Sequence, residues 1–175
     1  MDLNSTVSAQ RLHIGFFGTV NSGKSSLVNA LTGQKLSIVS DTRGTTTDPV
    51  QKAMELLPLG PVVIIDTPGL DDGTELGKLR IERTMQMLRK TDIAVIVTDA
   101  SEKDEETESF IEIVKEKGIP VIFVRNKCDL DDTDADGSDV LFVSAKTGKN
   151  IDELKRRIAA SIPAVRAEKR IVSDL

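Results

Sequence analysis

The chain has 175 residues, enough for one domain with a substantial core. Its 39% hydrophobic and 29% charged residues are ordinary for a soluble globular protein, and no apolar run approaches membrane-spanning length. A net charge of −5, the lack of Trp and Tyr, and a single cysteine argue against nucleic-acid stacking, an anionic-membrane surface, a disulfide framework and an ordinary iron–sulfur cluster, and fit a reducing cytoplasm.

Residues 1–10 are polar and are expected to be loose. The run from Leu12 to Phe17 predicts a buried strand, and the stretch G-T-V-N-S-G-K-S (18–25) follows it. Gly18 and Gly23 permit turns that a side chain would forbid, and they let an anion approach the main chain. Successive N–H groups from Thr19 through Asn21, Ser22, Gly23, Lys24, Ser25 and Ser26 then form a nest at a helix start, where the dipole favours negative charge. Lys24 supplies a cation for β- and γ-phosphates, and the Ser25 hydroxyl is a Mg²⁺ ligand. The helix predicted over 23–32 ends at Gly33.

A polar stretch with R-G-T-T-T-D (43–48) comes next; Thr46, or its neighbour Thr45, is placed to complete the Mg²⁺ shell when γ-phosphate is present. The strand at 51–57 and the turn L-P-L-G-P (57–61) predict a hairpin with the following strand P-V-V-I-I-D. D-T-P-G (66–69) ends that strand: Asp66 is positioned to hold Mg²⁺ through water, and the Gly69 N–H to sense the γ-phosphate. Helical stretches at roughly 77–90, 103–117 and 150–161 alternate with the apolar runs I-A-V-I-V-T-D-A, I-P-V-I-F-V-R-N and V-L-F-V-S-A. Near-continuous apolar strands alternating with helices predict a doubly wound α/β fold. The expected sheet has six mostly parallel strands, with one antiparallel strand toward an edge.

N-K-C-D (126–129) ends the fifth strand. Asp129 can accept from the ring N–H and exocyclic amine of guanine, a donor pair that adenine lacks. Asn126 and Lys127 are expected to brace the loop and cover the ring. The backbone N–H groups of Ser144, Ala145 and Lys146 are expected to meet the guanine carbonyl. Only L-D-D-T-D-A-D-G-S-D separates N-K-C-D from the last strand, so a helix there must be missing or reduced to a turn. D-T-D-A-D-G opens like a calcium loop, but the completing glutamate position is Val143, so calcium is rejected. His13 and Cys128 read as structural. The domain is expected over 11–163, with 164–175 as a linker or the start of a following domain.

Five motifs in this order over most of the chain resemble the translation-factor-like branch of P-loop GTPases. The resemblance implies a Mg²⁺-dependent enzyme converting GTP to GDP and phosphate, with Lys24, Asn21, Thr46 and Gly69 acting at the phosphates. Ras-like members carry glutamine where this chain has Leu70, so slow intrinsic hydrolysis is expected. Asn21 matches the asparagine that binds K⁺ in potassium-activated GTPases resembling MnmE and Era. The resemblance then implies a K⁺ shell completed around Ser40, Thr42 and Thr45. Longer strings, among them T-T-T-D-P-V (45–50) and D-T-P-G-L-D-D (66–72) with E-L-G following, resemble the GTPase domain of HydF, the [FeFe]-hydrogenase maturation factor. That resemblance implies a nucleotide switch in the cytoplasm. Its partners would be the dimerisation and cluster domains of a longer protein and other hydrogenase maturases, with no iron–sulfur cluster held by this part of the chain, no membrane and no direct nucleic-acid contact. A G domain of a tRNA-modification or ribosome-assembly GTPase is the alternative.

Overall fold

The computed structural model describes residues 11–18, 23–33, 50–66, 77–98, 105–126 and 139–173. In chain order the elements are β1 (Leu12–Gly18), α1 (Lys24–Thr32), β2 (Val50–Leu56), β3 (Gly60–Asp66), α2 (Gly77–Lys90), β4 (Ile93–Thr98), α3 (Glu105–Glu116), β5 (Val121–Arg125), β6 (Val140–Phe142) and α4 (Ile151–Ser173). The six strands form one sheet in the order β2-β3-β1-β4-β5-β6. All neighbouring pairs are parallel except β2 with β3, where Leu56 pairs with Gly60 across the tight turn. The expected α/β architecture and its edge hairpin are both present.

Alternation along each strand explains the three layers. Ile14 and Phe16 of β1 face one side with Val62, Ile64, Val95, Val97, Ile122, Val124 and Leu141; there they pack against Leu27 and Leu31 of α1 and Leu154 and Ile158 of α4. Phe17, Ala94 and Ile96 face the other side, against Leu88 of α2 and Phe110 and Val114 of α3. Both faces are covered, so the central strands read as unbroken apolar runs. Each fully buried Ile, Leu or Phe contributes about 1.5–3 kcal/mol.

Gly15 on β1 is required by packing. A Cβ there would lie 2.6 Å from the Phe17 ring and 2.7 Å from Thr91 Oγ1. Thr91 is held in place because its hydroxyl donates to the Met87 carbonyl at 2.7 Å, closing the end of α2. Asp92 then ties the β4 entrance to β1: its Oδ2 accepts the His13 N–H at 2.8 Å, and its own N–H donates to the His13 carbonyl at 2.8 Å. His13 Nδ1 lies 3.0 Å from the Arg11 carbonyl. This histidine serves the amino-terminal margin of the sheet, as its structural reading anticipates.

The last helix differs from expectation. The stretch expected at 150–161 runs in fact from Ile151 to Ser173, through Pro163, so most of the tail expected as a linker or the start of a following domain is helical. Pro163 has no N–H to give the Ala159 carbonyl, which normally ends or kinks a helix. Tertiary packing overrides that preference: Val165 is only 5% exposed and joins the cluster that holds Leu154 and Ile158. Among the described residues no helix is long and apolar enough to cross a membrane.

Candidate functional site

The parallel strands deliver their carboxyl ends to one margin of the sheet. Phe16 of β1 is in register with Asp66 of β3, and Thr98 of β4 with Arg125 of β5. The ladder continues past the strands, with Asn126 N–H donating to the Thr98 carbonyl at 2.8 Å and Val143 N–H to the Arg125 carbonyl at 2.9 Å. Ligands of open α/β sheets bind at this margin. Gly23, Lys24, Ser25, Asp66, Asn126 and Ser144–Lys146 all gather there.

The phosphate end is built where β1 gives way to α1. Gly23 stands before the first helical residue with φ 76°, a left-handed conformation that explains the glycine. Lys24 and Ser25 thereby enter the first turn, beside the end of β3. Lys24 Nζ lies 3.4 Å from Asp66 Oδ1, and both side chains are largely buried. The Ser25 hydroxyl donates to Asp66 Oδ2 at 3.5 Å. Asp66 Oδ1 is buried and has no hydrogen-bond partner. A hydroxyl beside a buried carboxylate, whose Oδ1 faces the Lys24 ammonium without a hydrogen bond, is a hard-oxygen set that suits Mg²⁺, an ion usually shared between one or two protein oxygens, phosphate and water. Ser26 is exposed on the same turn.

The base end is a web of neutral hydrogen bonds. Asn126, 2% exposed, sits at its centre. Its Nδ2 donates to the Gly23 carbonyl at 3.3 Å, and its Oδ1 accepts the Ala145 N–H at 3.1 Å. The Gly23 carbonyl also accepts Leu27 N–H at 2.9 Å, so one oxygen serves both the helix and the bridge. One asparagine thus joins the start of α1 to the loop after β6.

The loop after β6 places the three residues expected to meet the guanine carbonyl. Two of the three N–H groups assigned to the guanine carbonyl have acceptors inside the protein: Ser144 N–H donates to the Lys149 carbonyl at 3.1 Å, and Ala145 N–H to Asn126. Among the described residues the Lys146 N–H has no acceptor, so it is the one of the three still free to take one. The buried Ser144 hydroxyl accepts Thr147 N–H at 3.2 Å and shapes the turn. Sequence reasoning missed Asn150, whose Nδ2 donates to the Phe142 carbonyl at 2.7 Å. Its signal was an asparagine directly before a helix.

Thr19, Asn21, Ser22, Ser40, Thr42, Thr45, Thr46, Gly69, Leu70, Lys127, Cys128 and Asp129 lie outside the described residues, as does the segment where a helix is expected to be missing.

A family model described as 50S ribosome-binding GTPase matches residues 13–127. The tRNA modification GTPase MnmE of Laribacter hongkongensis is 34% identical over 157 residues, covering 86% of this chain and 35% of the relative. The GTPase Der of Wolinella succinogenes is 35% identical over 167 residues, covering 84% and 35%. The chain spans about a third of the length of these curated relatives. The crystal structure of an Aquifex aeolicus Era variant bound to GDP.AlF4- superposes with a TM-score of 0.68 at 28% identity, covering 85% of this chain and 56% of that one. These likenesses favour the MnmE and Era side of the resemblance and do not single out HydF. With the phosphate-loop helix, the strand-end aspartate and the asparagine bridge on one margin of the sheet, the chain belongs to the 50S ribosome-binding GTPase family and forms a GTP-binding G domain.

Proposed function

We propose that this chain is the nucleotide-operated part of a larger GTPase of the MnmE and Era type, binding Mg²⁺ with GTP and hydrolysing it slowly. The observation that carries the reading is the convergence of Lys24 and Ser25 on Asp66, whose buried Oδ1 lacks a hydrogen-bond partner. Ser25, Asp66 and Thr46 would hold Mg²⁺, and Asn21 with the chain near Ser40, Thr42 and Thr45 would hold K⁺; the two ions supply positive charge against that developing on the phosphates. The Lys24 ammonium turns from Asp66 toward the β- and γ-phosphates when nucleotide enters. Asp129 accepts from the guanine edge. Leu70 offers no polar atom to orient water, so hydrolysis is slow until another group helps. Segments 36–50 and 67–77 then present different faces in the two nucleotide states.

Titration with a fluorescent guanosine nucleotide in Mg²⁺ buffer tests the core of this reading: saturable uptake is expected, and none would end it. Turnover should rise in KCl over NaCl at equal ionic strength, and Asn21→Ala should abolish the difference; equal rates in the wild-type chain would remove the potassium role.

A second reading, a HydF-type maturation GTPase, is favoured by the strings T-T-T-D-P-V and D-T-P-G-L-D-D. It is tested by the gene beyond residue 175: cysteine-bearing cluster motifs downstream support it, and tRNA-modification or RNA-binding domains there oppose it.

A further inference from the structure

The loop between β6 and α4 is closed on itself. Gly148 N–H donates to the Ser144 carbonyl at 2.9 Å, and Ser144 N–H returns to the Lys149 carbonyl at 3.1 Å. Thr147 N–H reaches Ser144 Oγ at 3.2 Å, and Lys149 N–H reaches Thr147 Oγ1 at 3.4 Å. Gly148 takes φ 82°, and Asn150 takes φ 61° as the one non-glycine with positive φ among the described residues. Asn150 begins α4 as well, since its carbonyl accepts the Leu154 N–H at 3.0 Å. An asparagine at a helix start ordinarily turns its oxygen to the first free N–H groups. Here the amide instead donates backward, at 2.7 Å, to the carbonyl of Phe142, the last residue of β6. The loop is therefore clasped at both ends by one side chain, eight positions apart.

We propose that Asn150 is a positioning residue for guanine recognition. Its left-handed backbone and its amide bond to Phe142 fix the 143–149 loop, so that the Lys146 N–H stands at a set distance from the 6-carbonyl of the base. The proposal rests on the guanine-nucleotide reading above. Asparagine suits the position because it tolerates positive φ better than most side chains and carries a donor of the right reach. Glycine would keep the backbone and lose the clasp. Aspartate would keep the shape but turn a negative oxygen on the Phe142 carbonyl.

The test compares two ligands on Asn150→Gly and Asn150→Asp: GTP, and 2-aminopurine riboside triphosphate, which keeps the phosphates and the exocyclic amine but lacks the 6-carbonyl and the ring N1–H, so that each variant is compared with the wild-type chain on the same ligand. Losing one hydrogen bond's worth of ordering should weaken GTP binding about fivefold in the glycine variant and more in the aspartate variant. Affinity for the 2-aminopurine nucleotide should change by less than about twofold. An equal fall for both ligands, accompanied by a lower melting temperature, would make Asn150 a purely structural residue and overturn the proposal. So would unchanged GTP affinity in both variants. Failure of the wild-type chain to bind GTP at all would instead sink the reading beneath it, and the two failures are told apart by that control.

Discussion

The two ends of the nucleotide margin are built from opposite chemistry. At the phosphate end, Lys24, Ser25 and Asp66 meet as charged and hydroxyl groups at 3.4–3.5 Å, one carboxylate oxygen facing the ammonium and the other the hydroxyl. At the base end, Asn126, Ser144, Thr147 and Asn150 are neutral, and their bonds run from 2.7 to 3.3 Å. The first arrangement is poised to exchange partners, because a charged pair can be re-divided when phosphate and metal arrive. The second is a frame, because its neutral bonds tie side chains to backbone groups of the sheet and loops and have no charge to re-divide. On the proposed reading, affinity and chemistry would belong to the end that can change, and selectivity to the end that cannot.

The comparison is broken most severely by removing the cation. Lys24→Met strands Asp66 in a largely buried site, and the ligand-free protein should lose about 3–5 kcal/mol of stability by urea unfolding. Adding Asp66→Asn should recover much of that loss without recovering GTP binding; a double variant as unstable as the single one would show that the pair is not the source. Next comes the base end, where Asp129→Asn should move preference from guanine to xanthine nucleotides by about a hundredfold, read from paired titrations. Retained guanine preference would remove Asp129 from base recognition. Asn126→Ala sharpens the contrast, since it cuts the bridge between the ends: about 1–3 kcal/mol should be lost in thermal unfolding, with faster GDP release. Smallest is Glu153→Ala on the outer face of α4. Its partners Arg156 and Arg157 lie at 3.3 and 3.7 Å but are well exposed, so stability should change by less than about 0.5 kcal/mol.

Much of this was legible from residue order because the central strands are covered on both faces. Short, β-branched apolar runs at 62–65, 93–97 and 121–124 point to largely buried strands, and the glycines at 23 and 33 bracket α1 with the left-handed turns they alone make cheaply. The length of α4 was hidden by Pro163, which reads as a stop. Yet Ile151, Leu154, Ile158 and Val165 are all buried, and their spacing carries one helical stripe across the proline. Gly15 was equally opaque, because its reason is the neighbouring Phe17 ring together with a hydroxyl, that of Thr91, from a distant part of the chain. At the site, residue types and order gave the roles, but not the sharing of donors. Nothing in S-A-K-T-G-K-N announces that Ala145 is committed to Asn126 while Asn150 reaches back to Phe142.

Helix α4 has a mechanical consequence. Its 23 residues make a rod about 34 Å long, rooted at one end in the 143–149 loop through Asn150. A tilt of about 5° at that root carries the Ser173 end through about 3 Å. Small adjustments of that loop would thereby be enlarged into displacements of several times their size at the far end of the helix.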